Sequence, residues 1–460
     1  MVEKDLCYEV LVRALSAGGQ YADVFVEEKN SVSIELKDGK IRTISPGIAS
    51  GVGLRTIYGH NYVYAYDNRL DRQALDELAG SVAAGVQAGA HGDVKELTAT
   101  PRESVLKPEV MPDTVSLDAK VDLLLRADAA ARDSSSTISQ VTAYYADVRQ
   151  KVLVANSQGV MVQDERVRTR LTVSAVAVEG EKRESGFFGP GKSMGFEFFE
   201  RLTPEDIAKE AARIALVQLE ADFAPKGALP VVINNGFGGV ILHEAVGHAL
   251  EATSVADKAS VFCDRLGEKI AAECVTAVDD GTILNEWGSA NWDDEGAPTQ
   301  RTELIKDGVL THYLVDRLGS IKMDQPLTGS ARRESYAYAP TSRMTNTFIV
   351  PGTASIDDLI SSIDYGVFCR NMGGGSVNPP TTDFNFAVTE GYLIKSGKID
   401  RPVKGAALIG RGSDIIKQID MVADNLDFGT GMCGSRSGAV PASVGQPAIR
   451  VSGLVVGGRA

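Results

Sequence analysis

The residues best suited to chemistry in this sequence are His243-Glu244-Ala245-Val246-Gly247-His248. Two imidazoles with a carboxylate beside the first are what a catalytic metal site needs: neutral nitrogen ligands and a group able to accept a proton from water. In the common arrangement the histidines are four apart and share one helix face. Here they are five apart, about 500° around an α-helix, which leaves them about 140° from each other. That spacing predicts a distortion between them, a π-bulge that gains one residue in a turn. Gly247, directly before the second histidine, is where such a distortion costs least. A third ligand must come from elsewhere. Glu251, Asp257, Cys263, Cys274, His312, Cys369 and Cys433 all have suitable side chains, and spacing does not choose among them. Glu251, three residues past His248, could instead orient an imidazole from behind. The competing reading is two hydrogen-bonded core histidines, drawn by chance from the five in the chain, beside a solvated glutamate.

The elements that must carry this motif come from a chain of 460 residues with 61 acidic and 47 basic side chains, a net charge of −14. Such a length predicts two or three domains. The acidic balance argues against nucleic acid or an anionic membrane as partner. Five scattered cysteines, with no Cys-x-x-Cys pair, argue against a disulfide framework or a four-cysteine zinc ribbon. No apolar run approaches the ~18 residues of a membrane span, and the first residues have no signal-peptide pattern, so the expected location is cytoplasmic.

Apolar positions at helical spacing mark residues 3–17, with Gly18-Gly19 as the stop. Alternation from Val32 to Lys37 runs into Asp38-Gly39, a hairpin signal. A helix follows at Leu70–Val82. Prolines 101, 108 and 112 punctuate a linker, after which the same order recurs: a helix over Leu117–Arg132, strands between Gln140 and Val178, and a helix capped by Thr203 with Pro204 first. From about Ala228 the sequence becomes glycine-rich, with Leu229–Ile233 as a strand, Asn234–Gly239 as a loop and Val240–Leu250 as a helix. A nucleotide cradle is not expected there, because Ile241 stands where the third fingerprint glycine belongs. The predicted fold is α+β: an N-terminal region of helices packed on antiparallel strands, then a mainly antiparallel β domain carrying the metal-site helix. The predicted divisions are an α+β unit at 1–97, a linker at 98–116, a second α+β unit at 117–225, and the glycine-rich domain at 226–460.

The sequence resembles the TldD branch of the TldD/PmbA family along nearly its whole length. The matching stretches are His243 to Glu251, Ala331-Arg332-Arg333-Glu334-Ser335-Tyr336, Arg343-Met344-Thr345-Asn346-Thr347, Gly373-Gly374-Gly375, Gly429-Thr430-Gly431-Met432-Cys433-Gly434 and Val444-Gly445-Gln446-Pro447. The resemblance implies a zinc metallopeptidase with His243, His248 and Cys433 on the metal and Glu244 as general base. It also implies a substrate class of unfolded or extended peptides, including precursors of modified peptide antibiotics. A PmbA (TldE) branch lacks the motif and pairs with TldD, so a heterodimer or a homodimer is expected, with this chain as the catalytic partner. An older association of the family with DNA gyrase finds no support in the acidic composition. In one place the chain departs from the pattern: Pro379-Pro380 follows the glycine tract where a single proline is expected. Arg332, Arg333 and Asn346 are candidates for lining the peptide path, and equally for structural hydrogen bonding. The same ligands could serve an amidase or other hydrolase of a small molecule, or hold a structural ion in a non-catalytic partner protein. His₂Cys ligation admits zinc, iron or cobalt.

Overall fold

A computed structural model describes residues 2–86, 89–378 and 380–458, so Pro379 of the proline pair lies outside the described residues. Strand makes up 44% of the chain and helix 23%, and the class is α+β. The first large sheet runs in the order Asn61–Asp67, Lys40–Tyr58, Tyr21–Lys37, Ile138–Asn156, Val160–Glu179. Its first hairpin turns at Asp38-Gly39, both with positive φ (51° and 69°), the backbone that a two-residue turn between right-twisted strands demands. Strand Tyr21–Lys37 pairs with Ile138–Asn156, from Asp23↔Asn156 to Lys37↔Thr142. Chain from before residue 98 and after 116 therefore shares one sheet.

Alternation along these strands gives the sheet two different faces. One face carries Val24 and Val26 under the helices Lys4–Ala14 and Arg72–Gly85. Further along, the same face carries Ile34, Leu36, Val173 and Ala175 under Leu117–Asp133 and Pro204–Glu220. The latter helix starts as its sequence predicts, with the Thr203 hydroxyl accepting from the Asp206 N–H and Pro204 in the first turn. The other face presents Phe25, Val152, Val154 and Val162 to Trp292 of the C-terminal region.

That region contains two large sheets, mostly antiparallel, and a two-stranded ribbon of Ala331–Arg332 and Thr341–Ser342. In one, Gly227–Ile233 lies between Tyr365–Asn378 and Ile449–Gly457. The other ends in a hairpin of Gly438–Gln446 and the edge strand Asp427–Ser435. The motif helix packs Ile241, Leu242 and Ala245 among Ile233, Val367, Ile349 and Val444, residues drawn from both sheets. Among the described residues no helix is long and apolar enough to cross a membrane.

Candidate metal centre

The segment expected as one helix with a π-bulge is built differently. An α-helix covers Val240–Ala245 and stops; Val246 leaves helical backbone (φ −128°, ψ −50°), and a 3₁₀ turn covers Gly247–Leu250. The break, rather than a bulge, brings the second histidine round to the first. Nor does Gly247 provide the loose backbone: the distortion falls on Val246. A Cβ on Gly247 would lie 2.2 Å from the Met344 sulfur, so the glycine is needed for clearance. The imidazoles meet edge to face, ring centroids 5.1 Å apart.

Cys433 reaches them from the edge strand of the hairpin. Its sulfur lies 3.1 Å from His243 Nε2 and 3.2 Å from His248 Nε2. Two contacts hold the hairpin there. At the glycine loop, a Cβ on Gly239 would fall 2.6 Å from the Gly445 backbone, so two main chains touch where no side chain fits. At the turn, the fully buried Arg343 guanidinium donates to the Gly438 carbonyl (2.9 Å), the Ser437 hydroxyl (3.0 Å) and the carbonyl of Cys433 itself. Arg343 lies in a recognisable motif, but nothing in its sequence context assigns it this task.

The other candidate ligands are employed elsewhere. Asp257 pairs with Lys322 at 2.8 Å. The thiols of Cys263 and Cys274 face the carbonyls of Val255 and Ile419. His312 Nδ1 lies 2.8 Å from the Glu303 carbonyl. Burial pushes the Cys369 thiol up to about 12, an inert core residue. Glu251 stands behind His248, its Oε2 3.1 Å from Nδ1.

His243, His248 and Cys433 have their ligand atoms within 4.8 Å of one another. Burial pushes the Cys433 thiol up, but the charge and hydrogen bonds of His243 and His248 outweigh it and bring it down to about 3. Burial pushes His248 down, and Glu251 and Cys433 more than reverse this. A thiolate, two imidazoles and a carboxylate anchoring one imidazole from behind form a donor set that fits a zinc ion. Glu244 is nearly a third exposed, its Oε2 3.7 Å from His248 Nε2, beside the donors and open to solvent.

Arg332, Arg333 and Asn346 are not gathered around this cluster. Asn346 is fully buried and spends its amide on Asp280, Ser289 and Gly288, so its place is structural. Arg333 donates to the Asp294 carbonyl at 2.8 Å and stacks on Phe25. Arg332 donates to the Met344 carbonyl and, with Arg333, lines a separate cavity.

Comparison with known proteins returns three matching segments. Residues 226–458 match the PmbA/TldA metallopeptidase C-terminal domain, 111–219 the central domain and 22–85 domain 1. A metalloprotease TldD homolog of Haemophilus influenzae is 39% identical, covering 95% of this chain and 93% of that one. A zinc metalloprotease TldD homolog of Saccharolobus solfataricus is 24% identical over 98% and 99%. Among solved structures, a Thermotoga maritima protein described as a candidate modulator of a DNA gyrase has a TM-score of 0.80 at 20% identity, covering 98% of this chain and 99% of that one. TldE from Thermococcus kodakarensis has 0.77 at 17%, covering 98% and 100%. At those identities the structures speak for the fold.

Proposed function

The chain belongs to the TldD/PmbA family of metallopeptidases, and from that premise we propose that it is a zinc-dependent peptidase of extended peptides. The observation that carries the reading is the convergence of His243, His248 and Cys433 with Glu244 at their open side. His243, His248 and Cys433 would hold the ion, and Glu251 fixes the orientation of His248. When bound, zinc supplies Lewis acidity toward a peptide carbonyl and toward water. Glu244 takes the proton of the attacking water and returns it to the departing amide nitrogen. A purely structural site has no use for this carboxylate.

An extended substrate is supported by a free sheet edge. Strand Tyr365–Asn378 pairs with Gly227–Ile233 only through Val367–Cys369. Among the described residues, one edge from Asn371 to Asn378, including Gly373-Gly374-Gly375, has no strand beside it. A peptide can add there through main-chain hydrogen bonds with little sequence preference. A TldE-like chain is the proposed partner, with a homodimer as the other assembly, and the cytoplasm is the proposed setting.

Zinc per chain and hydrolysis of an unfolded peptide test the reading together. Glu244→Gln should keep about one zinc per chain and lose about 10²- to 10⁴-fold in turnover. Cys433→Ala should lose the metal, and Cys263→Ala should keep it. Undiminished hydrolysis in Glu244→Gln, or zinc unaffected by Cys433→Ala, would overturn it.

A further inference from the structure

A cavity of about 350 Å³ lies between the first sheet and the hairpin that carries Cys433. It is separate from the metal centre. Met432 lines it, and neighbouring residues of a strand point to opposite faces, so Cys433 leaves toward the histidines while Met432 and its cross-strand partner Pro441 look the other way. On the sheet side most of the charge comes from one strand, Glu165-Arg166-Val167-Arg168-Thr169-Arg170, whose three arginines share a face, beside Tyr144, Ala146, Val148 and Gln150 of the neighbouring strand. Lys29, Arg332 and Arg333 add further positive charge, and only Asp294 and Glu334 among the lining residues are acidic.

These cations are unequally compensated. Arg166 is paired with Asp164 and Asp294, and Arg333 lies 3.4 Å from Asp23. Among the described residues no carboxylate lies within ion-pair distance of Arg168, Arg170 or Arg332. Arg168 donates to the Trp287 carbonyl at 3.0 Å, Arg332 to that of Met344 at 2.7 Å, and Arg170 to that of Gly189 at 3.1 Å. Yet Arg168 is 6% exposed and Arg332 8%. Burial, then the mutual repulsion of these guanidiniums, pushes Arg168 down to about 9. Burial leads in Arg332 too, pushed down to about 10. Buried cations satisfied only by carbonyls are costly until an anion joins them. Trp287, Val148, Met432 and Pro441 give the rest of the lining an apolar part, the polar Gln150 being engaged with Glu27, and Met432 and Tyr144 are exposed.

We propose that this cavity is an anion site that takes a peptide carboxylate on Arg168, Arg170 and Arg332, with the adjoining apolar side chain against Trp287 and Met432. Planar guanidiniums match a carboxylate in two-point hydrogen bonding, and the volume suits one residue and its terminus. The choice of a peptide as the carrier rests on the peptidase reading; the charge argument does not. An occupant presses on the strand of Cys433 from the side opposite the metal.

The test is calorimetric binding to the full zinc-loaded chain carrying Glu244→Gln, with Trp287 fluorescence as a second signal. Hydrolysis is not part of this readout, so failure of the peptidase reading would show elsewhere. The probes are N-acetyl-Ala-Ala-Phe with a free carboxylate, its amide, the amide of N-acetyl-Ala-Glu-Phe, and inorganic phosphate. The free acid should bind, and its amide about 10- to 100-fold more weakly. Arg168→Met should cause a similar loss, as should Arg170→Gln at a half-buried position less liable to disturb folding. Glutamyl amide binding as tightly as the free acid supports the site with a side chain as the source of the carboxylate. Equal binding of acid and amide, binding of phosphate alone, or acid binding unchanged in both arginine variants would overturn the proposal; the last result would put the peptide on the metal instead.

Discussion

Glu251 shows how much of the site lies outside its ligands. The carboxylate is 3% exposed and holds His248 Nδ1, which fixes Nε2 toward the sulfur of Cys433. A neutral amide keeps the shape but loses the charge that makes the imidazole a stronger donor. Glu251→Gln should therefore weaken zinc binding about 10- to 100-fold, read by competition with a chelator, while zinc-free stability changes far less than affinity. Unchanged affinity would reduce Glu251 to a packing residue. His243, Glu244 and His248 are legible as chemistry because they are neighbours in sequence. Cys433 is not, since its approach depends on Gly239 touching Gly445 and on Arg343 gripping the turn, contacts that no spacing rule contains. The arginine stripe was legible in principle: Arg166, Arg168 and Arg170 alternate within a predicted strand. A net charge of −14 concealed a strongly positive interior wall.

Among the elements, those specified by nearby residues follow the sequence closely. The Asp38-Gly39 hairpin and the Thr203-Pro204 helix start are local: turn backbone and capping hydrogen bond are made by the residues that announce them. The motif helix is different, because what ends it is tertiary. The Met344 side chain, from the segment between two distant strands, fills the space that a side chain on Gly247 would need, and the backbone breaks at Val246 instead of accommodating an extra residue within the helix. Gly247→Ala should then cost about 1–3 kcal/mol through overpacking and lower zinc affinity by displacing His248. In a Met344→Ala background the same change should cost clearly less, because the side chain it strikes has gone. Urea unfolding of the four proteins in the cycle gives the coupling directly. Equal costs in both backgrounds would show that Gly247 serves backbone freedom instead.

At the scale of the molecule, the first sheet and the C-terminal region meet through buried ionic groups. Arg55, 1% exposed, bridges Asp23 (2.7 Å) and Glu295 (2.5 Å), and Arg166 reaches Asp294 at 2.7 Å. Removing one partner of such a pair typically costs about 3–5 kcal/mol, so we propose that the chain unfolds in one transition despite a domain division near residue 226. Crowding of carboxylates in this seam also sets a pH dependence. Burial, then the charge of Glu295, pushes Asp316 up to about 7 and Asp293 up to about 8. Between the unfolded value of about 4 and these raised values, the folded chain retains protons that the unfolded chain has released. Stability from these groups is thus full at the acid end and falls as pH rises through about 7 to 8, by up to about 1.4 kcal/mol per pH unit for each retained proton. Asp316→Asn keeps the oxygen that accepts the Gly319 N–H and removes the titration. Denaturant midpoints between pH 6 and 8.5 should decline less steeply in that variant than in the wild type, and His248, raised in both, cancels from the comparison. Parallel declines would mean that Asp316 is already ionised in the folded protein across this range.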